Sequence, residues 1–89
     1  MFDMVLDTRK KRLKFRCWHR GSREADLLLG TFADRYLEHM DSSDVVKLEN
    51  IVDCDDQLIW DWLTGVAEVP KGISRTMIHD LQSVLSLVS

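Results

Sequence analysis

The sequence predicts an all-α protein, a single-domain bundle of about five short helices. Three observations point there. Apolar residues recur at three- and four-residue spacing in successive stretches, with no alternating strand pattern between them. Proline occurs once, so little interrupts helical runs. Clusters of Gly, Ser and Asp punctuate the periodic stretches at intervals that suit short helix–helix connections. The 89 residues are read as one domain, 1–89. A chain of that size buries only about 60–65% of its unfolded surface, so its core must be compact.

Residues 1–8 read as a loosely ordered lead-in, with Asp7 or Thr8 able to cap the first helix. That helix is Arg9 to His19, with Leu13 and Cys17 as apolar contacts, joined by Phe15 or Trp18. Gly21 stops it, because glycine accepts the left-handed conformation that ends many helices. Ser22 caps a second helix running to about Met40, with Glu24 and Asp26 in the first turn, at the positive end of the helix dipole. Leu28, Phe32, Tyr36 and Met40, with Leu29, Ala33 and Leu37, make its apolar face. Gly30-Thr31 weakens its middle, and Thr31 with Asp34 offers a separate cap; a single helix, with room for a bend, is the favoured reading.

The turn Asp41-Ser42-Ser43-Asp44 caps a third helix, about 43–53, that buries Val45, Leu48, Ile51 and Val52. Asp53-Cys54-Asp55-Asp56 is the next cap. Gln57 to Thr64 is a short fourth helix carrying Leu58, Ile59, Trp62 and Leu63, closed by Gly65. Trp60 and Trp62 point in different directions, Trp62 inward. Val66 to Gly72 is a loop fixed by Pro70, and a fifth helix from about Ser74 presents Met77, Leu81, Val84, Leu85 and Val88.

Composition excludes several classes of protein. No apolar run approaches the ~20 residues that span a bilayer, and no signal-peptide pattern opens the chain. A soluble, non-secreted protein without membrane insertion is therefore expected. Cys17 and Cys54, the only cysteines, lie far apart and outside any CxxC context, which suits neither a disulfide nor a zinc site. The net charge of −3 conceals a basic end, eight basic against three acidic residues in 1–24, and an acidic body, four against twelve in 25–89. Such an end could meet an acidic partner.

No nucleophile motif and no nucleotide-binding glycine loop is present. His19, His39 and His79 lack ligand spacing, so no metal is expected. Asp53, Asp55 and Asp56 invite a calcium reading, but the loop lacks the glycine and distal glutamate of an EF-hand, and helix capping explains them better. The basic stretch Arg9–Arg16 could grip phosphates and supports an alternative reading as a small nucleic-acid-binding regulator. The acidic remainder of the chain argues against it.

The sharpest feature is Arg20-Gly21-Ser22-Arg23-Glu24. Glycine lets another backbone approach closely, and arginine makes forked bonds to a carboxylate or phosphate. Composition alone favours a plain inter-helix turn with solvated charges here. However, the stretch Phe15 to Asp26 resembles the RGxxE region of the succinate dehydrogenase assembly factor 2 family, the bacterial and mitochondrial FAD assembly factors. A second block, Asp53 to Gly65, is similar to that family's acidic turn and following W-L helix, and the two together cover about residues 9–70.

The resemblance implies a five-helix bundle with no enzymatic activity and no stably bound cofactor. It implies a protein that binds the flavoprotein subunit of succinate dehydrogenase, and in bacteria also of fumarate reductase, and promotes covalent attachment of FAD to a histidine there. By the motif, Arg20, Gly21 and Glu24 would be partner-binding residues, with Arg23 and Asp26 as neighbours. A monomer is expected, in a bacterial cytoplasm or, if processed, a mitochondrial matrix. Two positions depart from the family pattern: Gln57-Leu58 stands where Pro-Asp is common, and His19 where another basic residue often precedes the arginine.

Overall fold

The computed structural model describes residues 4–88, and its elements occur in the predicted order. Helix α1 is Met4–Trp18, α2 Arg23–Tyr36, α3 Ser42–Val52, α4 Asp56–Thr64 and α5 Arg75–Val88, with a 3₁₀ turn at Leu37–His39 extending α2. Among the described residues there is no strand.

The beginning of α1 corrects the expected lead-in. Helix starts at Met4, five residues ahead of Arg9; residues 1–3 of that expectation lie outside the described residues. Nothing between Met4 and Thr8 breaks a helix, and Leu6, seven residues before Leu13, packs on the same core. Lys11 Nζ lies 3.3 Å from the Asp7 carboxylate, a one-turn pair that adds modest support.

Local chemistry accounts for the other boundaries. Gly21 has φ +104, a conformation that side-chain-bearing residues rarely adopt, and it separates α1 from α2. Ser22 caps α2 by accepting the Ala25 N–H at 3.2 Å. Asp41 caps α3 through the Asp44 N–H at 2.9 Å, and Ser74 caps α5 through the Met77 N–H at 3.2 Å. Gly65 ends α4 in the left-handed region.

One core joins all five helices. Helix α2 lies between α1 and α5, α1 also packs on α3, and α4 packs on α5. The expected inward residues of α3 are all buried, as are Leu13, Cys17, Leu28, Leu29, Phe32, Ala33, Leu37 and Met40. Tyr36 and Leu58 depart from expectation by facing solvent, each at the edge of an apolar face that its neighbours already fill. Ile78 joins the core of α5, while Leu85 and Val88 are only partly covered. The loop after α4 is tied down by Ala67, Val69 and Ile73, which pack against the core, and by the Ala67 N–H donating to Asp61 O at 3.1 Å.

Helix α2 runs unbroken through Gly30 and Thr31, as one helix. The Trp18 indole lies across Gly30, so close that a β-carbon there would stand 2.1–2.5 Å from three ring atoms. Trp18 Nε1 donates to Asp34 at 3.2 Å, one turn further along α2. Of the two candidates for the third contact of α1, Trp18 is therefore the one used, and Phe15 is exposed.

Helix propensity alone says that Gly30→Ala should stabilise the fold by about 1 kcal/mol. The Trp18 clash reverses that sign, because overpacking of this kind costs about 1–3 kcal/mol or more. Thermal unfolding of Gly30→Ala should show a Tm several degrees lower, with a shift in tryptophan emission; a raised Tm would contradict this packing. Burial pushes the Cys17 thiol up to about 12 and leaves it without solvent access. A thiol reagent at pH 8 should thus modify half-buried Cys54 first, and Cys17 only as fast as the chain opens.

Candidate functional site

The Arg20–Glu24 corner is built from two sets of side chains, one turned in and one turned out. Arg20 belongs to the first set. Only 12% of its side chain is exposed. Its guanidinium crosses to the connection between α3 and α4, donating from Nη1 to Val52 O, from Nη2 to Cys54 O at 2.6 Å, and from Nε to Asp56 Oδ1 at 2.9 Å. Nη2 also lies 2.8 Å from the same oxygen, Asp56 Oδ1, so two arms of the guanidinium converge on one carboxylate oxygen. The carboxylate contact that arginine was expected to offer a partner is thus made within the chain.

Asp26 is also turned in. Its carboxylate accepts the Arg20 backbone N–H at 2.5 Å, closing the loop between α1 and α2 from the far side of Gly21. Gly21, Arg23 and Glu24 form the outward set, all exposed. Beside them is a shallow depression lined by Trp18, Gly21, Ser22, Arg23, Asp26 and Leu27. Leu27 is 39% exposed, which puts an apolar edge next to charges of both signs. Sequence reasoning reads Trp18 only as a candidate core contact and does not single out Leu27, since each sits within an ordinary helical pattern.

The acidic turn does not serve mainly as a helix cap. Asp55 occupies the capping position of α4, but its side chain makes no capping bond. Asp53 pairs with Arg16 at 2.5 Å, and Asp56 pairs with Arg20. The capping account of these aspartates is therefore corrected: two of them are counter-ions for the first helix and its end. No spacing rule connects residues 36 apart in one sequence, which is why the pairing was not legible.

The basic stretch Arg9–Arg16 proves to be largely neutralised from within. Arg9 pairs with Glu49, Lys11 with Asp7, Lys14 with Asp34 and Arg16 with Asp53, while Lys10 donates to Glu38 O at 3.1 Å. A phosphate-binding surface needs free cations, so the nucleic-acid reading loses its main observation. His19 stacks on Phe15, His39 lies in the 3₁₀ turn and His79 on α5. Among the described residues, no group of three His, Cys, Asp or Glu could hold a metal ion. No helix among them is long and apolar enough to cross a membrane.

Comparison with known proteins puts these blocks in context. The family described as flavinator of succinate dehydrogenase matches residues 11–85. The chain is 36% identical over 74 residues to the FAD assembly factor SdhE of Acetobacter pasteurianus, covering 83% of this chain and 68% of that relative. It is 38% identical over 71 residues to the mitochondrial succinate dehydrogenase assembly factor 2-B of Drosophila mojavensis, covering 78% of this chain and 45% of the relative. The corresponding protein of Drosophila ananassae is 37% identical over 68 residues, 74% of this chain and 42% of its own length. The chain thus spans less than half the length of these two insect relatives.

The inward set generates a stability prediction. Arg20→Ala leaves two carbonyls and a half-buried carboxylate without their donor, at a cost of about 2–4 kcal/mol. Its Tm should fall clearly in thermal unfolding, whereas Arg23→Ala, on the exposed set, should unfold within about 0.5 kcal/mol of the parent.

Proposed function

The chain belongs to the family of flavinators of succinate dehydrogenase, and we propose that it is an assembly factor of that kind: it binds the flavoprotein subunit of succinate dehydrogenase and promotes covalent attachment of FAD to it. The observation that carries the reading is the division of labour at the corner. Arg20 and Asp26 brace the connection from inside, which leaves Gly21, Arg23 and Glu24 as a fixed, solvent-facing set. Sequence similarity to proteins named as FAD assembly factor and succinate dehydrogenase assembly factor 2 supports succinate dehydrogenase as the client.

A factor of this kind needs no catalytic residue of its own. Bonding of the flavin to a histidine of the flavoprotein is chemistry between groups that the client holds, and holding them in register can remove several kcal/mol of barrier. The factor must then bind the immature client better than the mature one, since only differential affinity shifts an equilibrium. Gly21 suits a docking role because its lack of a side chain allows close backbone approach, with nothing within 4 Å of the position a β-carbon would take. Glu24 and Arg23 add charges of both signs, which favour one docking orientation over others.

In this reading the protein acts as a monomer, carries no stable cofactor and serves the flavoprotein of fumarate reductase as well. It works in a bacterial cytoplasm or the mitochondrial matrix.

Co-purification on a tagged copy, combined with acid-stable flavin fluorescence of the denatured flavoprotein, tests the proposal. The parent chain should retrieve the flavoprotein subunit. Glu24→Ala should keep its helical content and Tm yet lose at least fivefold in complex formation, with a matching loss of covalent flavin. Normal flavin incorporation in cells whose only copy carries Glu24→Ala would overturn the assignment.

A further inference from the structure

Helix α1 has a face that the fold leaves uncovered, and its composition differs from the rest of the helix. Leu13 and Cys17 turn inward. On one flank Lys14 pairs with Asp34 of α2, and on the other Arg9 and Arg16 pair with Glu49 and Asp53, which lie on and just after α3. Opposite the core runs an outward ridge of Met4, Val5, Thr8, Arg12, Phe15 and His19, all exposed. Phe15 is 64% exposed and its ring stacks against His19, centroids 4.1 Å apart. Arg12 makes no ion pair among the described residues, although the other two arginines of α1 are paired.

We propose that this ridge is a second part of the docking surface, on which the flavoprotein client seats an apolar side chain against Phe15 and a carboxylate against Arg12. The proposal rests on the assembly-factor function. Two features select the client over other occupants. The ridge ends at His19, two residues from Gly21, so it is continuous with the corner at which docking is placed. It also carries a permanently charged guanidinium one helical turn from an aromatic ring, two residue types enriched at protein interfaces, and arginine prefers a carboxylate opposite. An exposed aromatic pair held by stacking adds contact area at small entropic cost.

Both positions are open to substitution without loss of fold. Phenylalanine and serine have similar helix propensity, and neither Phe15 nor Arg12 contributes to the core. The full chain with Phe15→Ser or Arg12→Glu should therefore match the parent in helical content and Tm. Titrated against the isolated flavoprotein subunit, each should bind at least tenfold more weakly, and Arg12→Glu should also flatten the salt dependence of binding. Glu24→Ala run in parallel separates the two levels of inference. If Glu24→Ala weakens the complex while Phe15→Ser and Arg12→Glu bind within twofold of the parent, the ridge proposal is overturned and the corner reading stands. If all three bind normally, both fall. Two other results would also overturn it, each with client affinity unmoved by Phe15→Ser: Phe15-dependent flotation on phosphatidylglycerol vesicles, assigning the ridge to a membrane, or Phe15-dependent dimerisation in sedimentation, assigning it to a second copy.

Discussion

The structure turns on where one guanidinium goes. Helix α3 ends in carbonyls that carry partial negative charge, and the chain places Asp53, a residue of the same sign, immediately after them. Left alone, that connection would repel itself and splay. Arg20 enters it from the end of α1 and meets Val52 O, Cys54 O and the Asp56 carboxylate at once. A single cation thereby satisfies the last carbonyl of one helix, a carbonyl of the turn after it and a carboxylate in the first turn of the next. Because its own backbone N–H is held by Asp26, the same residue also fixes how α2 leaves α1. Two inter-helix connections, distant in sequence, become one rigid corner.

The charge asymmetry of the chain obeys the same logic. A basic first quarter and an acidic remainder look like a surface waiting for an acidic partner. In the fold they are largely partners of each other, with α1 pinned to α2 by Lys14–Asp34 and to the α3 side by Arg9–Glu49 and Arg16–Asp53. Half-exposed pairs of this sort are worth about 0–1 kcal/mol each, so they do not hold the protein together. Burial of Leu13, Cys17, Leu28, Phe32, Leu48 and Leu81 does that. What the pairs contribute is register: they exclude rotations of α1 that would bury its cations or set them against one another.

Much of this fold was legible from residue order alone. The inward residues of α3, those of α2 apart from Tyr36, the Ser22 and Asp41 caps and the left-handed stops at Gly21 and Gly65 all rest on local chemistry, which one sequence displays in full. Contacts between residues far apart were not legible. Gly30 looks like a weak point in a helix until Trp18, twelve residues before it, is laid across it. The aspartates of the α3–α4 connection look like caps until the arginines arrive. Arg20 was the most visible residue of its motif, yet its environment differs most from expectation, because a solvated arginine and a braced one are written with the same letter.

That difference bears on how a motif of this kind works. A flexible turn carrying Arg23 and Glu24 would lose conformational freedom on binding and return part of the gross interaction energy as entropy. A turn braced by Arg20 and Asp26 has made that loss during folding, so a larger share of the contact energy is available to discriminate between client conformations. Discrimination is what an assembly factor needs, since binding two conformations equally well would shift neither. On the proposed function the motif therefore divides into residues that touch and residues that hold, each kind needed for a different reason. Loss of the first kind removes contacts from an intact surface; loss of the second blurs the surface on which those contacts are displayed.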